Sequence, residues 1–285
     1  MSGAVTYEER GVIASMLSRR SVAVAFVFFL LVLLVVMAAP LLAPSDPAAM
    51  SVRQRLTPPG EEFLLGADAF GRSVLSRILY AGRVTLAIGA GVAVLSSIVG
   101  ILIGLIAGFF RSLDGLVSRF IDAMMSFPDI LLAISLVAIL GGSMINVIVA
   151  LSIVYTPRIA RIVRASTLVV RELPYIEAAQ ALGSSSTYIL LRHVLLNILS
   201  PIIVQATFIF AYAMLAEAGL SFLGVGVDPS TPTWGIMINE GRQYIDQAPF
   251  LILFPGLAIS FCVLSLQLVG DGLRDALDPR IARQM

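Results

Sequence analysis

The sequence predicts an all-α polytopic membrane protein with six transmembrane helices, and three observations support this fold class. Hydrophobic side chains make up 58% of the 285 residues, charged side chains make up only 13%, and the mean hydropathy is +0.96. A soluble domain is about 45–50% apolar and about 25% charged, so this composition excludes an ordinary soluble enzyme and a disordered protein. The apolar residues also form six runs, most of them close to the roughly 20 residues that cross a bilayer core.

The six runs differ in length and in the residues that end them. The first contains no charged residue, is closed by Pro40 and Pro44, and lacks a small-residue cleavage pattern, so we interpret it as a retained helix rather than a signal peptide. The third is short and ends at a Gly141-Gly142-Ser143 turn. The predicted spans are approximately residues 22–42, 84–110, 130–140, 144–162, 202–224 and 249–269.

Arginine placement predicts the orientation of these spans. An even number of spans puts both termini on one side, and a cytoplasmic N-terminus leaves six of the 19 basic residues on the outer side. These six are Arg53, Arg55, Arg72, Arg77, Arg83 and Arg242. The chain thus divides into a cytoplasmic N-terminus with the first helix (1–43), an outer loop with an interfacial helix (44–83), and a five-helix core (84–285) that contains a cytoplasmic loop (164–200).

Residue counts exclude several kinds of chemistry. The sequence contains no Lys, so a Walker phosphate loop and Schiff-base catalysis are both excluded. Cys262 is the only Cys and His193 the only His, so neither an intrachain disulfide nor a Cys/His metal cluster can form. His193 follows Arg192 with no carboxylate nearby in sequence, which favours a packed or solvated side chain over a ligand or base. We expect no catalytic residue, cofactor or metal on this chain, and any energy for its work comes from a partner or an ion gradient.

The cytoplasmic loop contains the pattern of a short helix. Pro174 suits the first helical position, Glu177 complements the helix dipole in the first turn, and Gly183 ends the helix. A helix of about two turns is unstable alone in water, and its small alanine face would let another surface approach closely. Two interpretations follow from the residues alone: a surface that contacts another protein, or a connecting loop on the membrane surface.

This loop resembles a motif of the permease subunits of binding-protein-dependent ABC importers. The motif reads Glu-Ala-Ala, three residues, Gly, nine residues, then Ile-x-Leu-Pro, and Glu177, Ala178, Ala179 and Gly183 match it in type and spacing. At its end, His193 replaces Ile and Leu196 replaces Pro, so the usual Leu-Pro step is lost. Residues 65–77, 217–224, 232–235 and 270–280 further resemble the C-type permeases of the dipeptide, oligopeptide and nickel importers.

The resemblance implies a type I ABC importer permease fold and a set of partners. The motif helix, with Leu182 as part of its surface, would couple to a separate ATPase, on which ATP and Mg²⁺ bind. A second permease chain, two ATP-binding subunits and an extracytoplasmic substrate-binding protein are the expected partners in a bacterial inner membrane, together with lipid but no nucleic acid. The expected cargo is a dipeptide, an oligopeptide or a related solute; nickel, glutathione and opine-like compounds are the alternatives within this family.

Several residues outside the loop are candidates for packing or function. Gly100, Gly104 and Gly108 are four residues apart and allow close helix approach, either within this chain or to a partner permease. Glu217 is an ionisable group within a span, so it has either a charge-dependent role or a satisfied hydrogen bond between helices. Trp234 is predicted to anchor the outer interface, and residues 68–83 are predicted to form a separate amphipathic helix there.

Two other classes of protein compete with a permease. A self-sufficient secondary transporter usually shows internal repeats or several intramembrane charges, but no repeat is evident and only Glu217 lies deep in a span. An intramembrane enzyme would need a constellation of His, paired carboxylates or Cys within the spans, and the sequence offers no such constellation. The permease interpretation is therefore preferred.

Overall fold

The computed structural model describes residues 16–277, and this part of the chain is helical without any extended strand. Residues 1–15 and 278–285 lie outside the described part. Three of the arginines used to predict the orientation, Arg10, Arg280 and Arg283, are among them. The main helices are α1 (Arg20–Met37), α2 (Ala39–Leu42), α3 (Val74–Phe109), α4 (Arg111–Met125), α5 (Asp129–Leu140), α6 (Met144–Arg171), α7 (Pro174–Ala181), α8 (Ser186–Tyr188), α9 (Leu199–Phe222), α10 (Trp234–Gly241) and α11 (Phe250–Leu277). Between α8 and α9 the chain passes through a π-helical segment, Ile189–Val194, and a 3₁₀ segment, Leu195–Ile198.

Five helical stretches in the described range are long and apolar enough to cross a membrane: Arg20–Met37, Val74–Phe109, Met144–Arg171, Ser186–Phe222 and Phe250–Leu277. The third predicted span, residues 130–140, corresponds to α5, which has only 12 residues. It meets α4 at a bend of 91°, and the count reaches six when this bent pair is taken as one broken span.

The outer end of the second span differs from the prediction. A separate interfacial helix over residues 68–83 is wrong, because α3 begins at Val74 and continues without a break to Phe109. The Ser73 hydroxyl accepts a 3.3 Å hydrogen bond from the Ser76 amide and so caps the helix at its first turn. Arg77 and Arg83 made the segment look extramembrane, but Arg77 is buried in an ion-pair cluster.

The core consists of α3 and α6 packed along much of their lengths, with α9 against α3 and α11. α1 lies on the outside of this group against α11, where most of its side chains remain exposed. Arg19, just before α1, forms an ion pair with Asp275 near the end of α11, so the beginning of α1 is held to the end of α11. The first helix is therefore an addition to a five-element core rather than part of it.

Trp234 does not anchor the protein at the outer membrane interface, contrary to the sequence-based expectation. Its side chain is 1% exposed, and its indole nitrogen donates a 2.9 Å hydrogen bond to the Ile78 carbonyl of α3. Its amide donates to the Thr85 hydroxyl at 3.2 Å. A buried tryptophan needs such a partner for its N–H, and here the partners fix α10 to α3.

Candidate functional site

The short helix α7 is attached to the core by one side and leaves the other side open. Ile176 is fully buried in the main hydrophobic cluster, and Ala179 packs against that cluster. Glu177 and Ala178 are exposed. Because residues three apart lie on one face of a helix, Ile176 and Ala179 fix the orientation in which Glu177 and Ala178 are presented.

The end of α7 is a Schellman motif. The Ser184 amide bonds the Ala179 carbonyl at 3.0 Å, the Gly183 amide bonds the Gln180 carbonyl at 3.0 Å, and Gly183 has φ +80°. A β-carbon at Gly183 would find nothing within 4 Å. Glycine is therefore favoured here by backbone conformation and not by crowding within this chain. Leu182 precedes this turn with 87% of its surface exposed.

His193 lies in the returning segment and packs against aromatic rings. Its ring centroid is 5.5 Å from that of Tyr188 and 6.1 Å from that of Tyr175, the second residue of α7. Among the described residues, no group of three or more His, Cys, Asp or Glu side chains could hold a metal ion. Of the two expected arrangements, packed or solvated, the ring contacts of His193 correspond to the packed one.

Polar contacts hold the residues just before α7 to the membrane helices. Arg171, the last residue of α6, donates a 2.6 Å hydrogen bond to the Gly108 carbonyl at the end of α3. It also contacts Glu172 at 3.0 Å, and Arg111 contacts the same carboxylate at 3.2 Å. Hydrogen bonds from Arg171 and then Arg111 hold the pKa of Glu172 below its usual range. The residues at which α6 leads into α7 are therefore tied to the end of α3 and the beginning of α4.

The three glycines of α3 face α6 of the same chain. A β-carbon at Gly100 would lie 2.6 Å from the Ile159 β-carbon, and one at Gly108 would lie 2.6 Å from the Thr167 β-carbon. Gly104 is equally close to Val163. These contacts are within the chain, which is one of the two arrangements that the spacing allowed.

Glu217 is completely buried in α9 near its outer end. Its Oε1 accepts a 2.7 Å hydrogen bond from the Ser221 hydroxyl one turn later, and Oε2 has no hydrogen-bond partner among the described residues. The side-chain amide of Asn239 in α10 donates a 2.9 Å hydrogen bond to the Ser221 carbonyl. Glu217 therefore lies at the junction of α9 and α10 rather than on an open surface.

A cluster of ion pairs between the outer loop, α3 and α10 was not predicted from the sequence. Asp68 receives Arg72 at 2.6 Å and Arg77 at 2.7 Å, and both arginines also reach Glu240 of α10. The spacing of residues 68, 72 and 77 is a possible local signal, but Glu240 is 163 residues away from Arg77. This cluster joins the outer loop to α3 and α10.

A second series of ion pairs lies along α6. Arg158, Arg161 and Arg164 follow one another at three-residue spacing and pair respectively with Asp129, Asp122 and Asp114 of the bent pair α4 and α5. The sequence placed three arginines in a row on the cytoplasmic side, but it did not reveal that each has an acidic partner.

The family described as "Binding-protein-dependent transport system inner membrane component" matches residues 100–283. A putative peptide transport system permease protein of Brucella suis is 49% identical over 266 residues, which cover 93% of this chain and 90% of the relative. The dipeptide transport system permease protein DppC of Alkalihalophilus pseudofirmus is 44% identical, and the match covers 87% of this chain and 82% of the relative. The glutathione transport system permease protein GsiD of Pectobacterium atrosepticum is 41% identical, and the match covers 92% of this chain and 88% of the relative.

The solved structures give an independent match at the level of the fold. An inward facing conformation of the MetNI methionine ABC transporter aligns with a TM-score of 0.57 at 22% identity, covering 73% of this chain and 95% of the solved chain. This match confirms the predicted all-α permease fold. The sequence relatives are permease subunits, so this chain is a transport subunit and not an enzyme. With a family match over most of its length and relatives at up to 49% identity, the chain belongs to the binding-protein-dependent ABC importer permeases of the inner membrane.

Proposed function

We propose that this chain forms half of the translocation pathway of an ATP-driven peptide importer and is coupled to a separate ATPase through α7. The coupling surface consists of Glu177, Ala178, Leu182 and Gly183, with Ala179 holding the helix to the core. The observation that carries this proposal is the contrast between the buried Ile176 and the 87% exposed Leu182 on one short helix. Leu173 and Tyr175, at the beginning of α7, are also exposed, and several large apolar side chains exposed around one anchored helix are typical of an interface that a partner covers.

The anchoring supports a role in transmitting movement. A force on the exposed side of α7 reaches the core through the buried Ile176. Where α6 leads into α7, Arg171 donates to the Gly108 carbonyl of α3, so displacement of α7 would be passed through the end of α6 to α3. ATP binding and hydrolysis, with Mg²⁺, belong in this scheme to the partner.

The peptide cargo is inferred from the names of the relatives. The Brucella suis, Alkalihalophilus pseudofirmus and Pectobacterium atrosepticum proteins are named for peptide, dipeptide and glutathione transport, and glutathione is itself a tripeptide. Each alignment covers more than four-fifths of this chain and of the relative. A small peptide is the chemistry that these three names share.

The complete importer would contain a second permease chain, two ATP-binding subunits and an extracytoplasmic substrate-binding protein. The chain has one set of membrane helices and no Lys for a phosphate loop, so half of the pathway and all of the ATP chemistry must come from other chains. We place both termini in the cytoplasm, on the side of α7.

The test is reconstitution of the complete complex in liposomes with the ATPase accessible to ATP. We expect uptake of a labelled dipeptide that requires ATP, the binding protein and this chain together. The same vesicles are tested with glutathione and with nickel. ATP-independent peptide uptake by the lone chain would contradict the proposal, and uptake of nickel without any peptide would contradict the peptide cargo.

A further inference from the structure

Arg158 and Asp129 form an ion pair inside the membrane-spanning part of the chain. Arg158 lies midway along the 28-residue helix α6, directly after Pro157, and Asp129 is the first residue of α5. The guanidinium Nη2 donates to Asp129 Oδ2. The two side chains remain 32% and 40% exposed, so the pair is at an open surface of this chain.

Aromatic rings surround the guanidinium. Its central carbon is 5.3 Å from the centroid of the Tyr155 ring and 5.6 Å from that of Tyr212 on α9. The Tyr155 hydroxyl donates a long, 3.5 Å hydrogen bond to the Tyr212 carbonyl, which joins the two walls. Beside them is a cavity of about 260 Å³ lined by Asp129, Ile130, Tyr155, Tyr212 and Leu215, among others.

The exposure of this pair indicates what it faces. A charged pair at the surface of a membrane helix is costly against hydrocarbon, so such residues face water or protein and mark substrate pathways. The neighbouring pairs, Arg161 with Asp122 and Arg164 with Asp114, balance the next two arginines of α6. The wall is therefore polar without a net excess of either sign, which suits a solute that carries both charges.

We infer that Asp129 and Arg158, between the rings of Tyr155 and Tyr212, form a transient binding site for the charged termini of a peptide on its way through the pathway. This inference rests on the proposed peptide transport. The Asp129 carboxylate accepts a hydrogen bond from the terminal ammonium, and the Arg158 guanidinium donates to the terminal carboxylate. When the site is empty the two side chains satisfy each other, so a passing zwitterion exchanges one ion pair for two.

The aromatic walls explain how one site serves peptides of different sequence. Tyrosine rings offer apolar area and a polar tip at little conformational cost, and they accept side chains of many kinds. Specific contacts are limited to the two termini, which every free peptide possesses. Binding of this kind remains weak because the charges must first leave each other, and weak binding allows the solute to move on.

Thiol labelling tests whether the groove is open to water. Cys262 is the single Cys of the chain and is buried, so Cys262→Ser provides a background in which the reconstituted complex is studied. Tyr212→Cys and, as the control, Leu264→Cys on the apolar helix α11, 51% exposed and away from the cavity lining, are treated with a charged, membrane-impermeant thiol reagent during ATP turnover. We expect labelling at position 212 to be at least about tenfold faster than at 264, because a thiolate forms in water and not in hydrocarbon. Equal, slow labelling of both positions would overturn the inference.

Uptake of blocked peptides tests which charge each residue binds. Arg158→Gln is expected to reduce the preference for a free dipeptide over its C-terminal amide by about tenfold, the loss expected for one charge-assisted hydrogen bond. Asp129→Asn is expected to reduce the preference over the N-acetyl dipeptide by a similar factor while leaving the preference over the amide unchanged. The binding protein is the same in every case, so its own selectivity cancels in the comparison of variant with wild type.

The two proposals fail in different ways. If the ion pair only holds α5 to α6, both variants lose uptake of every peptide by one common factor and the preferences stay as in the wild type, which would overturn the binding site. If the wild-type complex imports no peptide at all, the proposed cargo is wrong, while fast labelling of Tyr212→Cys still shows a water-filled groove at this position.

Discussion

A β-carbon placed on Gly104 would lie 2.6 Å from the β-carbon of Val163 and 2.7 Å from the carbonyl oxygen of Ala160. The second of these neighbours is backbone, so a larger residue at position 104 requires α3 to move away from α6. Because α3 and α6 form the centre of the core, this single contact limits how the whole bundle packs.

Gly104→Ala is therefore expected to destabilise the folded chain by about 1–3 kcal/mol, the usual cost of overpacking. Gly115→Ala is the matched control, because a β-carbon at Gly115 in α4 would have nothing within 4 Å. It should stabilise its helix slightly, by roughly 0.5–1 kcal/mol. The thermal unfolding midpoints of both variants in one detergent give the comparison, and equal midpoints would contradict the tight contact.

Glu217→Gln is expected to keep transport close to the wild-type level. Glutamine has the same shape, and its carbonyl oxygen can accept the bond that Ser221 donates to Oε1 at 2.7 Å. Glu217→Ala removes this acceptor from a fully buried position and leaves a cavity at the junction of α9 and α10, so we expect lower thermal stability. Peptide uptake per ATP hydrolysed tests Glu217→Gln, and the thermal unfolding midpoint tests Glu217→Ala. Abolished uptake in a stable Glu217→Gln complex would establish a charge-dependent role.

Arg77→Met is expected to destabilise the fold around the start of α3 by about 3 kcal/mol, because Asp68 and Glu240 would then share Arg72 alone and one carboxylate would lose its partner. The Arg77 side chain is only 4% exposed, and Asp68 is 8% exposed. Arg111→Met removes an arginine from an ion pair whose side chains are 79% and 53% exposed, and we expect no measurable change in the unfolding midpoint. A similar loss in both variants would mean that burial does not determine the strength of these pairs.

The ion-pair cluster also shows where sequence analysis reaches its limit. The apolar runs identified the membrane helices, and the motif around Glu177 and Gly183 identified α7 and its end, because these signals are local in sequence. The start of α3 was placed about ten residues too late, because Arg77 looks solvated until its partner Glu240 is known. A pairing over 163 residues leaves no periodic pattern in the chain.

Trp234 illustrates the same limit for a single residue. A tryptophan in an outer loop is more often an interface anchor than a core residue, and nothing near it in sequence contradicts that expectation. Its burial depends on the Ile78 carbonyl and the Thr85 hydroxyl of α3, both about 150 residues earlier in the chain. Likewise, the acidic partners of Arg158 and its neighbours only become evident once α4 and α5 are folded against α6.

Leu182→Ser is expected to weaken attachment of the ATPase without destabilising this chain. The Leu182 side chain is 87% exposed, so its removal costs little in the isolated chain, but burial at an interface contributes about 1.5–3 kcal/mol for a full leucine side chain. Leu64→Ser is the control, because Leu64 is 69% exposed in the outer loop, at the opposite end from α7. Retention of the ATPase during affinity purification is the measurement. Equal retention with both variants would argue against an interface at Leu182.

Two substitutions at Gly183 separate backbone strain from bulk at the same surface. Gly183 has φ +80°, a conformation that asparagine tolerates better than other side chains, and the space around its β-carbon is open in this chain. Gly183→Asn should therefore preserve most of the coupling, whereas Gly183→Trp should place an indole where the ATPase approaches and reduce peptide uptake per ATP hydrolysed by about tenfold or more. Both variants should still assemble in the membrane, because the glycine side of the turn has no neighbour within the chain. Wild-type uptake by the Gly183→Trp complex would refute coupling through this turn, since no docked partner could then lie against it.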